Sequence, residues 1–284
     1  MSVAILTPYA SLNPESGLLH LLARRLKSRG DQIEQVRCNG IFSTCDRDSL
    51  TGWRRSVGSC AGCIADQRSL AAWAGISATE LSTFLSPADI ERIEHLVATL
   101  SIEELWELEF DGVNLKNTLQ ASFAERFPGV QFDQSNRQHE QTVARLARSA
   151  LRCAVALSKY FTQKRPGVLM TASGEGFIEQ VIAHQALKAG VACAVLHSEP
   201  ARRCTTMRWL GDGKLHEIPL LIASLDGMRS DPSTWSPELM RIIDECLETT
   251  RMTATLAAQN SSDKASSQEA IAEGVYDRVV NLAQ

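Results

Sequence analysis

The chain has 284 residues, of which 44% are hydrophobic and 22% are charged. This length is enough for one or two domains with a large apolar core. Lysine and arginine total 29 against 33 acidic residues, which gives a formal net charge of −4. The sequence therefore lacks the strongly basic footprint of a general nucleic-acid binder, and we expect no nucleic acid among its partners.

The first residues do not have the pattern of a targeting segment. The apolar run at residues 3–6 has no basic residues before it and is followed by Thr7-Pro8, and it is too short for a signal-peptide core. No stretch of the sequence approaches the roughly 18 uninterrupted apolar residues of a membrane-spanning helix. We therefore expect a cytoplasmic protein with no membrane span, in a compartment that keeps thiols reduced.

The N-terminal pattern predicts a βαβ unit that opens a Rossmann-like domain. Residues 3–6 form a short apolar run typical of a buried parallel strand, and residues 33–36 can form a second strand. Between them, leucines recur at helical spacing as far as Arg29-Gly30, a common helix ending. The loop at residues 7–17 follows the first strand, at the position where open α/β sheets bind ligands.

The middle of the sequence is predominantly helical. Residues 66–109 have a short-pitched helical pattern, with Ser86-Pro87 and Ser101 as expected helix starts. Residues 137–161 form the longest predicted helix, with one apolar stripe along its length. These patterns predict a helical insertion in an α/β protein.

The α/β pattern resumes after Pro166. Residues 168–171 have the pattern of a strand, residues 177–189 that of a helix closed by Gly190, and residues 191–196 that of another strand. We therefore predict an α/β fold with Rossmann-like parallel sheets. Its regions are a βαβ unit with a cysteine-rich loop at 1–65, a helical insertion at 66–136, a second α/β region at 137–258 and a flexible polar tail at 259–284.

Four of the eight cysteines are clustered, with the spacing Cys38-x6-Cys45-x14-Cys60-x2-Cys63. In a reducing compartment such a cluster indicates a metal or redox site rather than disulfides. A Cys-x-x-Cys pair can bind one metal ion from a single tight turn, and a Cys₄ set suits zinc or an iron–sulfur cluster. The irregular first spacing favours a [4Fe–4S] cluster, with zinc as the alternative.

The role of this cysteine cluster has several interpretations. A shell filled by four cysteines leaves no open coordination position, which favours a structural or electron-transfer role over catalysis. One alternative is a set of inert buried thiols, since reduced cysteine packs as a small apolar residue. Another is a redox pair formed by Cys60 and Cys63. The scattered cysteines elsewhere in the chain are expected to pack as small apolar residues.

A second group of candidate residues lies between a predicted strand and a predicted helix. Ser173, Gly174, Glu175 and Gly176 form a glycine-containing turn there. Backbone N–H groups at a helix N-terminus can bind a phosphate, and glycines permit close approach. The alternative is an ordinary connecting turn with no ligand.

His197 and Glu199 follow the next predicted strand, at the edge of a parallel sheet that faces ligands. A histidine and a glutamate two residues apart can hold a substrate hydroxyl or act as acid and base. The alternative is a polar loop closed by Pro200.

Several motifs occur in a characteristic order along residues 1–199. They are Leu6-Thr7-Pro8-Tyr9, Arg37-Cys38-Asn39-Gly40, Cys45-Asp46-Arg47-Asp48, Ser59-Cys60-x-x-Cys63, Phe110-Asp111-Gly112-Val113-Asn114-Leu115, Ala121-Ser122-Phe123 and the strand and turn at 166–176. This order resembles that of bacterial surface-polysaccharide (capsule and lipopolysaccharide) biosynthesis proteins, which are similar to GT-B glycosyltransferases.

The resemblance implies two Rossmann-like halves around a cleft, with a nucleotide-sugar donor bound mainly by the C-terminal half. The chain departs from that pattern, because the sequence after Leu210 leaves little room for a full second nucleotide-binding domain and no Glu-x7-Glu donor signature is present. A shortened, non-catalytic relative would have these departures, and so would a protein that works with a partner chain.

The combined expectation is a GT-B-like protein of surface-glycan biosynthesis that carries the Cys₄ metal or iron–sulfur site. Its expected ligand is a nucleotide sugar or another phosphorylated small molecule, and its expected protein partner is another chain or a second copy. If it is a glycosyltransferase, it acts mainly by positioning the donor and stabilising the departing diphosphate. The alternatives are an iron–sulfur redox or sensor protein and a non-catalytic assembly subunit with structural zinc.

Overall fold

The computed structural model describes residues 2–7, 14–45, 57–172, 176–199, 204–210 and 215–220. The strands in these residues are β1 (Ser2–Leu6), β2 (Gln32–Arg37), β3 (Ser77–Glu80), β4 (Glu109–Phe110), β5 (Val113–Asn114), β6 (Val168–Ala172), β7 (Ala192–Glu199), β8 (Cys204–Leu210) and β9 (Leu215–Leu220). The helices are α1 (Pro14–Ser28), α2 (Val57–Ala74), α3 (Pro87–Thr99), α4 (Ile102–Trp106), α5 (Leu115–Arg126), α6 (Arg137–Lys164), α7 (Phe177–Lys188) and a 3₁₀ helix at Leu81–Phe84. Within these residues, no helix is long and apolar enough to cross a bilayer.

The main sheet has the strand order β3-β2-β1-β6-β7-β8-β9. The five strands from β3 to β7 in this order are parallel neighbours, and β8 and β9 extend the sheet as antiparallel strands. This arrangement is an α/β fold consistent with the Rossmann-like prediction. Because β1 pairs with β6, the two predicted α/β stretches contribute strands to one sheet.

Different helices cover the two faces of the main sheet. Successive side chains of a strand point to opposite faces, so the residues of β1 divide between two cores. Val3 and Ile5 pack with α1 and α2, whereas Ala4 and Leu6 belong to the larger core formed with α3 to α7. The buried stripe of α6 supplies many residues of that larger core, which confirms the predicted long amphipathic helix.

Three helix-to-strand connections at the amino edge of the parallel sheet have the same geometry. Gly30, Gly75 and Gly190 adopt positive φ angles one or two residues after the ends of α1, α2 and α7. Each glycine N–H donates to the carbonyl three residues back, and the N–H of the following residue donates to the carbonyl five residues back. This is the Schellman motif, which satisfies the last carbonyls of a helix. Each helix therefore ends cleanly and leads into β2, β3 or β7.

Serine residues start two helices of the region between β3 and β6. Ser86 precedes α3 and Ser101 precedes α4, and each forms a capping box with an acidic residue three positions later. The backbone N–H groups of the two serines donate to Asp89 Oδ2 and Glu104 Oε2, each at 2.8 Å. Both predicted helix starts are confirmed.

A short hairpin connects the helical region to α7. Strands β4 and β5 are joined by Asp111-Gly112, whose φ angles of 53° and 80° are those of a type I′ turn. Lys188 Nζ, at the end of α7, donates to the Asp111 carbonyl at 2.8 Å. The hairpin therefore holds the helical region against the helix that follows β6.

Strand β3 is the clearest difference from the sequence prediction. Residues 66–109 were expected to be helical, but Ser77–Glu80 pair with β2 as the edge strand of the main sheet. The residues of β3 are exposed or half-buried, so the strand needs no apolar alternation. A short polar edge strand gives no signal that a hydrophobic pattern can detect.

Candidate functional site

The carboxyl ends of β1 and β6 meet at the centre of the parallel sheet. Leu6 at the end of β1 pairs with Thr171 in β6. From these strands the chain continues in opposite directions, through α1 to β2 on one face and through α7 to β7 on the other. Open α/β sheets bind ligands at such a reversal, in the crevice expected outside the carboxyl ends of the strands. We call this place the β1–β6 crevice.

Thr7 and Gln67 lie on the β1 side of the crevice. Thr7 directly follows β1 and is 1% exposed, and Gln67 on α2 is fully buried. Gln67 Nε2 donates to the Thr7 carbonyl at 2.8 Å and lies 3.7 Å from Cys63 Sγ, one turn earlier on α2. Thr7 Oγ1 and Gln67 Oε1 are buried and have no hydrogen-bond partner among the residues that the structure describes.

Thr171 lies on the β6 side of the crevice. Its side chain is fully buried, and its Oγ1 has no hydrogen-bond partner within the described part of the chain. Thr171 lies two residues after Leu169, so it lies on the sheet face covered by α6 and α7. Thr7 follows Leu6 and lies on the opposite face. The two threonines therefore flank the edge of the sheet from both sides.

The start of α7 is fixed beside this edge. Gly176 precedes the helix as its N-cap residue in an extended conformation. The Phe177 N–H donates to Ser122 Oγ of α5 at 3.1 Å, which ties the first turn of α7 to the helical region. Of the predicted phosphate-binding residues, Gly176 lies at this helix start. Ser173, Gly174 and Glu175 lie outside the described residues.

The predicted pair His197 and Glu199 lies within β7. The sequence pattern ends this strand at residue 196, but β7 continues to Glu199 because its last residues pair with β8. Leu196 pairs with Ala172, the last residue of β6. The backbone of His197 is therefore one residue beyond that pair, at the same edge of the sheet as the β1–β6 crevice.

Three of the four clustered cysteines lie at the carboxyl edge of the sheet. Cys38 directly follows β2, and Cys60 and Cys63 lie in the first two turns of α2, the helix that leads from this edge back to β3. Cys38 and Cys63 are buried, whereas Cys45 and Cys60 are half-buried. The cysteine segment and the β1–β6 crevice therefore share one edge of the sheet.

The local structure of Cys60 and Cys63 differs from the prediction. The Cys-x-x-Cys spacing predicts a tight turn within a cysteine-rich loop. In the structure α2 begins at Val57 and includes both cysteines and the glycine between them. Residues three apart on a helix are neighbours on one face. Cys60 and Cys63 are therefore still neighbours, but on one face of a helix and not in a turn.

Cys45 is held by side chains of α5 and α6. Arg126 Nη2 donates to the Cys45 carbonyl at 3.3 Å, and the Thr44 N–H donates to Ser149 Oγ at 3.0 Å. Arg152 Nη1 donates to the Ile41 carbonyl at 3.1 Å. These bonds fix residues 41–45 against the helical region. The connection from Cys45 to α2, residues 46–56, lies outside the described residues.

Among the residues that the structure describes, no group of three or more His, Cys, Asp or Glu side chains is arranged to hold a metal ion. The chemistry of the four clustered thiols suits zinc or iron, because thiolates are soft ligands that these metals accept. The Cys₄ site at Cys38, Cys45, Cys60 and Cys63 therefore stays a prediction.

Cys153 on α6 and Cys193 on β7 are buried in the larger core. Burial raises the pKa of Cys193 to about 12. Burial, followed by the nearby charges of Cys38 and Glu179, raises the pKa of the Cys153 thiol well above its ordinary value. Both thiols therefore stay protonated at neutral pH, which suits apolar packing and not metal ligation. This confirms the prediction for these two scattered cysteines.

A buried polar network supports α1 where it starts at the carboxyl edge. His20 Nδ1 donates to the Ser16 carbonyl at 2.6 Å, because a carbonyl can only accept. His20 Nε2 therefore accepts from Gln35 Nε2 of β2 at 2.8 Å. Burial lowers the pKa of His20 to about 4, so the imidazole is neutral at pH 7. The network links the first turns of α1 to β2.

Sequence reasoning did not identify Thr7, Gln67 and Thr171 as individual site residues. A signal for the threonines exists, since each closes an apolar strand with a hydroxyl at the ligand-facing edge. Gln67 has no comparable signal, because its role depends on the packing of α2 against β1. No model of a known protein family matches the chain, and a search of curated proteins also found no match.

Proposed function

We propose that the chain binds a phosphorylated small molecule, with a nucleotide sugar as the expected class, in the β1–β6 crevice. The observation that carries this proposal is the reversal of chain direction between β1 and β6, with buried hydroxyls at the ends of both strands. The start of α7, beside Gly176, places the positive end of a helix dipole at this edge, which favours a phosphate.

The nucleotide-sugar class is supported by the resemblance to surface-polysaccharide biosynthesis proteins. In that reading His197 and Glu199 hold a hydroxyl of the ligand or exchange a proton with it. Their strand adjoins β6 at the crevice edge. If the protein is a transferase of the GT-B type, these residues act on the acceptor or donor sugar, and Gly176 contributes to binding the diphosphate.

Calorimetric titration and thermal unfolding test the proposed function. The full chain is titrated with UDP-glucose and GDP-mannose, and glucose serves as the control that lacks a phosphate. A ligand that binds only the folded state at about 100 times its Kd stabilises it by about 2.7 kcal/mol, so a clear rise in Tm is expected. No binding and no rise with either nucleotide sugar would contradict the proposal.

We also propose that Cys38, Cys45, Cys60 and Cys63 bind a [4Fe–4S] cluster, with zinc as the alternative. The placement of Cys38, Cys60 and Cys63 at one sheet edge supports this, as does the anchoring of Cys45 by Arg126. A cluster would favour a redox or sensor role, and zinc would favour a structural role in an assembly subunit.

Metal analysis after anaerobic purification tests the cysteine proposal. Iron and sulfide with broad absorption near roughly 400 nm identify a cluster, whereas one zinc per colourless chain identifies zinc. Cys60→Ser is expected to lower the metal content strongly. Cys193→Ser is the matched control, because Cys193 is a buried thiol outside the clustered segment, and it should retain the metal. No bound metal in the wild type, or equal losses in both variants, would contradict the proposal.

A further inference from the structure

The amino edge of the parallel sheet carries basic side chains from two helices. Four of them lie in the last two turns of α1 or directly after it, and two lie at the end of α6 or directly after it. Five are exposed and one is half-buried. We call this group the amino-edge basic patch, and its members are Arg24, Arg25, Lys27, Arg29, Lys164 and Arg165.

The two helix ends are close to each other at the start of the sheet. α1 leads to β2 and α6 leads to β6, and β1 lies between these two strands. The Gly167 N–H donates to the Ser2 carbonyl at 2.9 Å, and Ser2 pairs with Gln32. The strands that follow the two helices are therefore about 10 Å apart. Because α1 and α6 cover opposite faces of the sheet, the charges spread across the thickness of this edge.

Helix C-termini favour nearby basic residues, so part of this charge has a structural role. Each C-terminus carries about half a negative charge, and Lys27 Nζ donates to the Gly75 carbonyl after the end of α2. Asp31 is the acidic residue of the connections at 29–31 and 165–167. The six basic residues exceed the negative charge of Asp31 and of the ends of α1, α2 and α6 by roughly three to four charges.

The excess of positive charge is confined to the side of α1 and α6. Two other lysines near this edge form ion pairs with aspartates. Lys159 pairs with Asp89 at the start of α3, and Lys188 at the end of α7 pairs with Asp111 in the hairpin. On the side of α3 and α7 the charges of these pairs therefore cancel.

Neutral groups hold two of the basic side chains and leave their charge intact. The Arg24 guanidinium lies over the ring of Trp73, 4.8 Å from its centroid, and Arg165 Nε donates to the Thr162 carbonyl at 3.3 Å. Trp73 is half-buried at the end of α2. The patch thus includes an aromatic ring that is in part accessible from the same edge.

The backbone at this edge is unsuited to a single bound anion. Phosphates bind at helix N-termini, where N–H groups donate, but α1, α2 and α6 present their C-termini here, with partial negative charge on the carbonyls. The positive charges lie at the ends of long side chains. Within the described residues no helix lies along this edge to enter a groove of a nucleic acid. The arrangement therefore suits a broad anionic surface held by attraction at a distance.

We propose that the amino-edge basic patch docks the protein onto a lipid bilayer that contains anionic lipids. Each lysine or arginine close to such a bilayer strengthens binding by about fivefold. Trp73 fits this partner, because tryptophan is common at the level of the lipid headgroups. The β1–β6 crevice lies at the opposite edge of the sheet and faces away from the lipid. Docking does not depend on the ligand of that crevice.

The overall charge of the chain is compatible with docking at this edge. The formal net charge is −4, so the chain as a whole is repelled by an anionic surface at long range. The field of a bilayer falls off within about 8–10 Å at moderate salt. It therefore acts on the edge that faces the lipid and only weakly on the acidic residues elsewhere, so the docked protein has one orientation.

Vesicle co-sedimentation of the full chain tests the docking proposal. Vesicles of phosphatidylcholine alone are compared with vesicles that contain about one third phosphatidylglycerol, in about 0.1 M salt. The chain is expected to bind the anionic vesicles and not the neutral ones. At about 1 M salt, where the Debye length is about 3 Å, binding should be lost. No binding to anionic vesicles at the lower salt, or binding that salt does not weaken, would overturn the proposal.

Two matched double variants locate the docking surface. Arg24→Gln with Lys164→Gln removes one charge from each helix end and should weaken binding to the anionic vesicles about 25-fold. Arg137→Gln with Arg145→Gln removes two exposed charges from the first half of α6, about 30 to 40 Å from Lys164 along the helix. It should weaken binding less than twofold, although the net charge changes equally. Equal weakening by both variants would show that net charge and not the patch controls binding.

A charge-conserving variant and a second probe complete the test. Arg24→Lys with Lys164→Arg keeps both charges and should bind the vesicles as the wild type does; a loss of binding would contradict attraction by charge alone. If the double glutamine variant does not fold, Lys164→Gln by itself should weaken binding about fivefold. A DNA duplex is the alternative anionic partner. If the wild type binds the duplex and not the vesicles, and the patch variant loses the duplex, the bilayer proposal is overturned.

Discussion

The amino and carboxyl edges of the parallel sheet are built in different ways. At the amino edge, Gly30, Gly75 and Gly190 end three helices with the same Schellman motif. At the carboxyl edge, Thr7, Gln67 and Thr171 have buried polar atoms without a hydrogen-bond partner in the described ranges of the chain. At the amino edge the Schellman motifs satisfy the backbone carbonyls at the helix ends. At the carboxyl edge some side-chain polar atoms lack such a partner.

This difference suggests that the glycine turns of the amino edge contribute to stability and the carboxyl edge to ligand binding. A Schellman motif satisfies helix carbonyls and adds stability without any ligand. A buried polar atom without a partner lowers stability, and such an atom is tolerated where it serves another purpose. Substitutions of the glycines at the amino edge should therefore change stability alone. At the carboxyl edge, substitutions that remove only an unpartnered side-chain atom should change binding with little effect on stability, whereas groups that already have partners there, such as His20, contribute to stability.

The largest expected effect is an acid sensitivity of the carboxyl edge. His20 supports the start of α1, and its pKa is lowered to about 4 in the folded chain from an ordinary value of about 6.5. The unfolded chain therefore binds a proton first as the pH falls, and stability is lost between about pH 6.5 and pH 4. The loss from this group is about 3 kcal/mol.

Urea unfolding of the wild type and His20→Leu from pH 7 to pH 4 measures this effect. The variant is expected to lose stability at every pH, because Gln35 loses its partner, but to show a shallower pH dependence over this range. If the free energies of unfolding of the two proteins fall with pH in parallel, His20 is not the group that causes the acid sensitivity.

A smaller effect is expected at the amino edge. Gly30→Ala, Gly75→Ala and Gly190→Ala each place a Cβ on a residue with positive φ, and each should lower the free energy of unfolding by about 1–2 kcal/mol. Ligand affinity should not change.

Gly62→Ala is the control. Gly62 lies within α2 with no positive φ and nothing near its Cβ position, so alanine should stabilise the helix by about 0.5–1 kcal/mol. A loss of ligand affinity in the three amino-edge variants would contradict the claim that the glycine turns of the amino edge affect stability and not ligand binding.

The smallest effect on stability is expected for Thr171→Val in the ligand-free chain. Replacing an unpartnered buried hydroxyl with a methyl group of similar size removes an unsatisfied atom, so the free energy of unfolding should change by less than about 1 kcal/mol or increase. Thr118→Val is the matched control, because Thr118 Oγ1 donates to the Asn114 carbonyl at 2.8 Å and its loss should cost about 1 kcal/mol. If Thr171→Val is the more destabilising of the two by urea unfolding, the hydroxyl of Thr171 has a native partner.

The sequence predicts those elements whose apolar pattern reflects burial. β1, α1, β2, α6, β6 and α7 lie close to their expected positions because each has a continuous apolar run or stripe. β3 could not be predicted, because an edge strand of exposed and half-buried residues has no such pattern. The extension of β7 to Glu199 depends on pairing with β8, a tertiary interaction that the local sequence does not record.

The candidate site was predictable only in part, for the same reason. The loop after β1 and the turn before α7 are recognisable because each follows a strand and precedes a helix. That β1 and β6 are neighbours depends on the pairing of Leu6 with Thr171, residues far apart in the sequence. The contact of Gln67 with Thr7 depends on how α2 packs, so no pattern in the sequence could reveal it.

Hydrogen–deuterium exchange of the full chain with and without UDP-glucose tests the central claim most directly. Binding in the β1–β6 crevice predicts slower exchange in the peptides that contain Thr7 and Gly176, at the carboxyl edge. The connections at Gly75 and Gly190, at the amino edge, should exchange at unchanged rates. Protection confined to the amino edge, or measurable binding without protection at the ends of β1 and β6, would contradict the account.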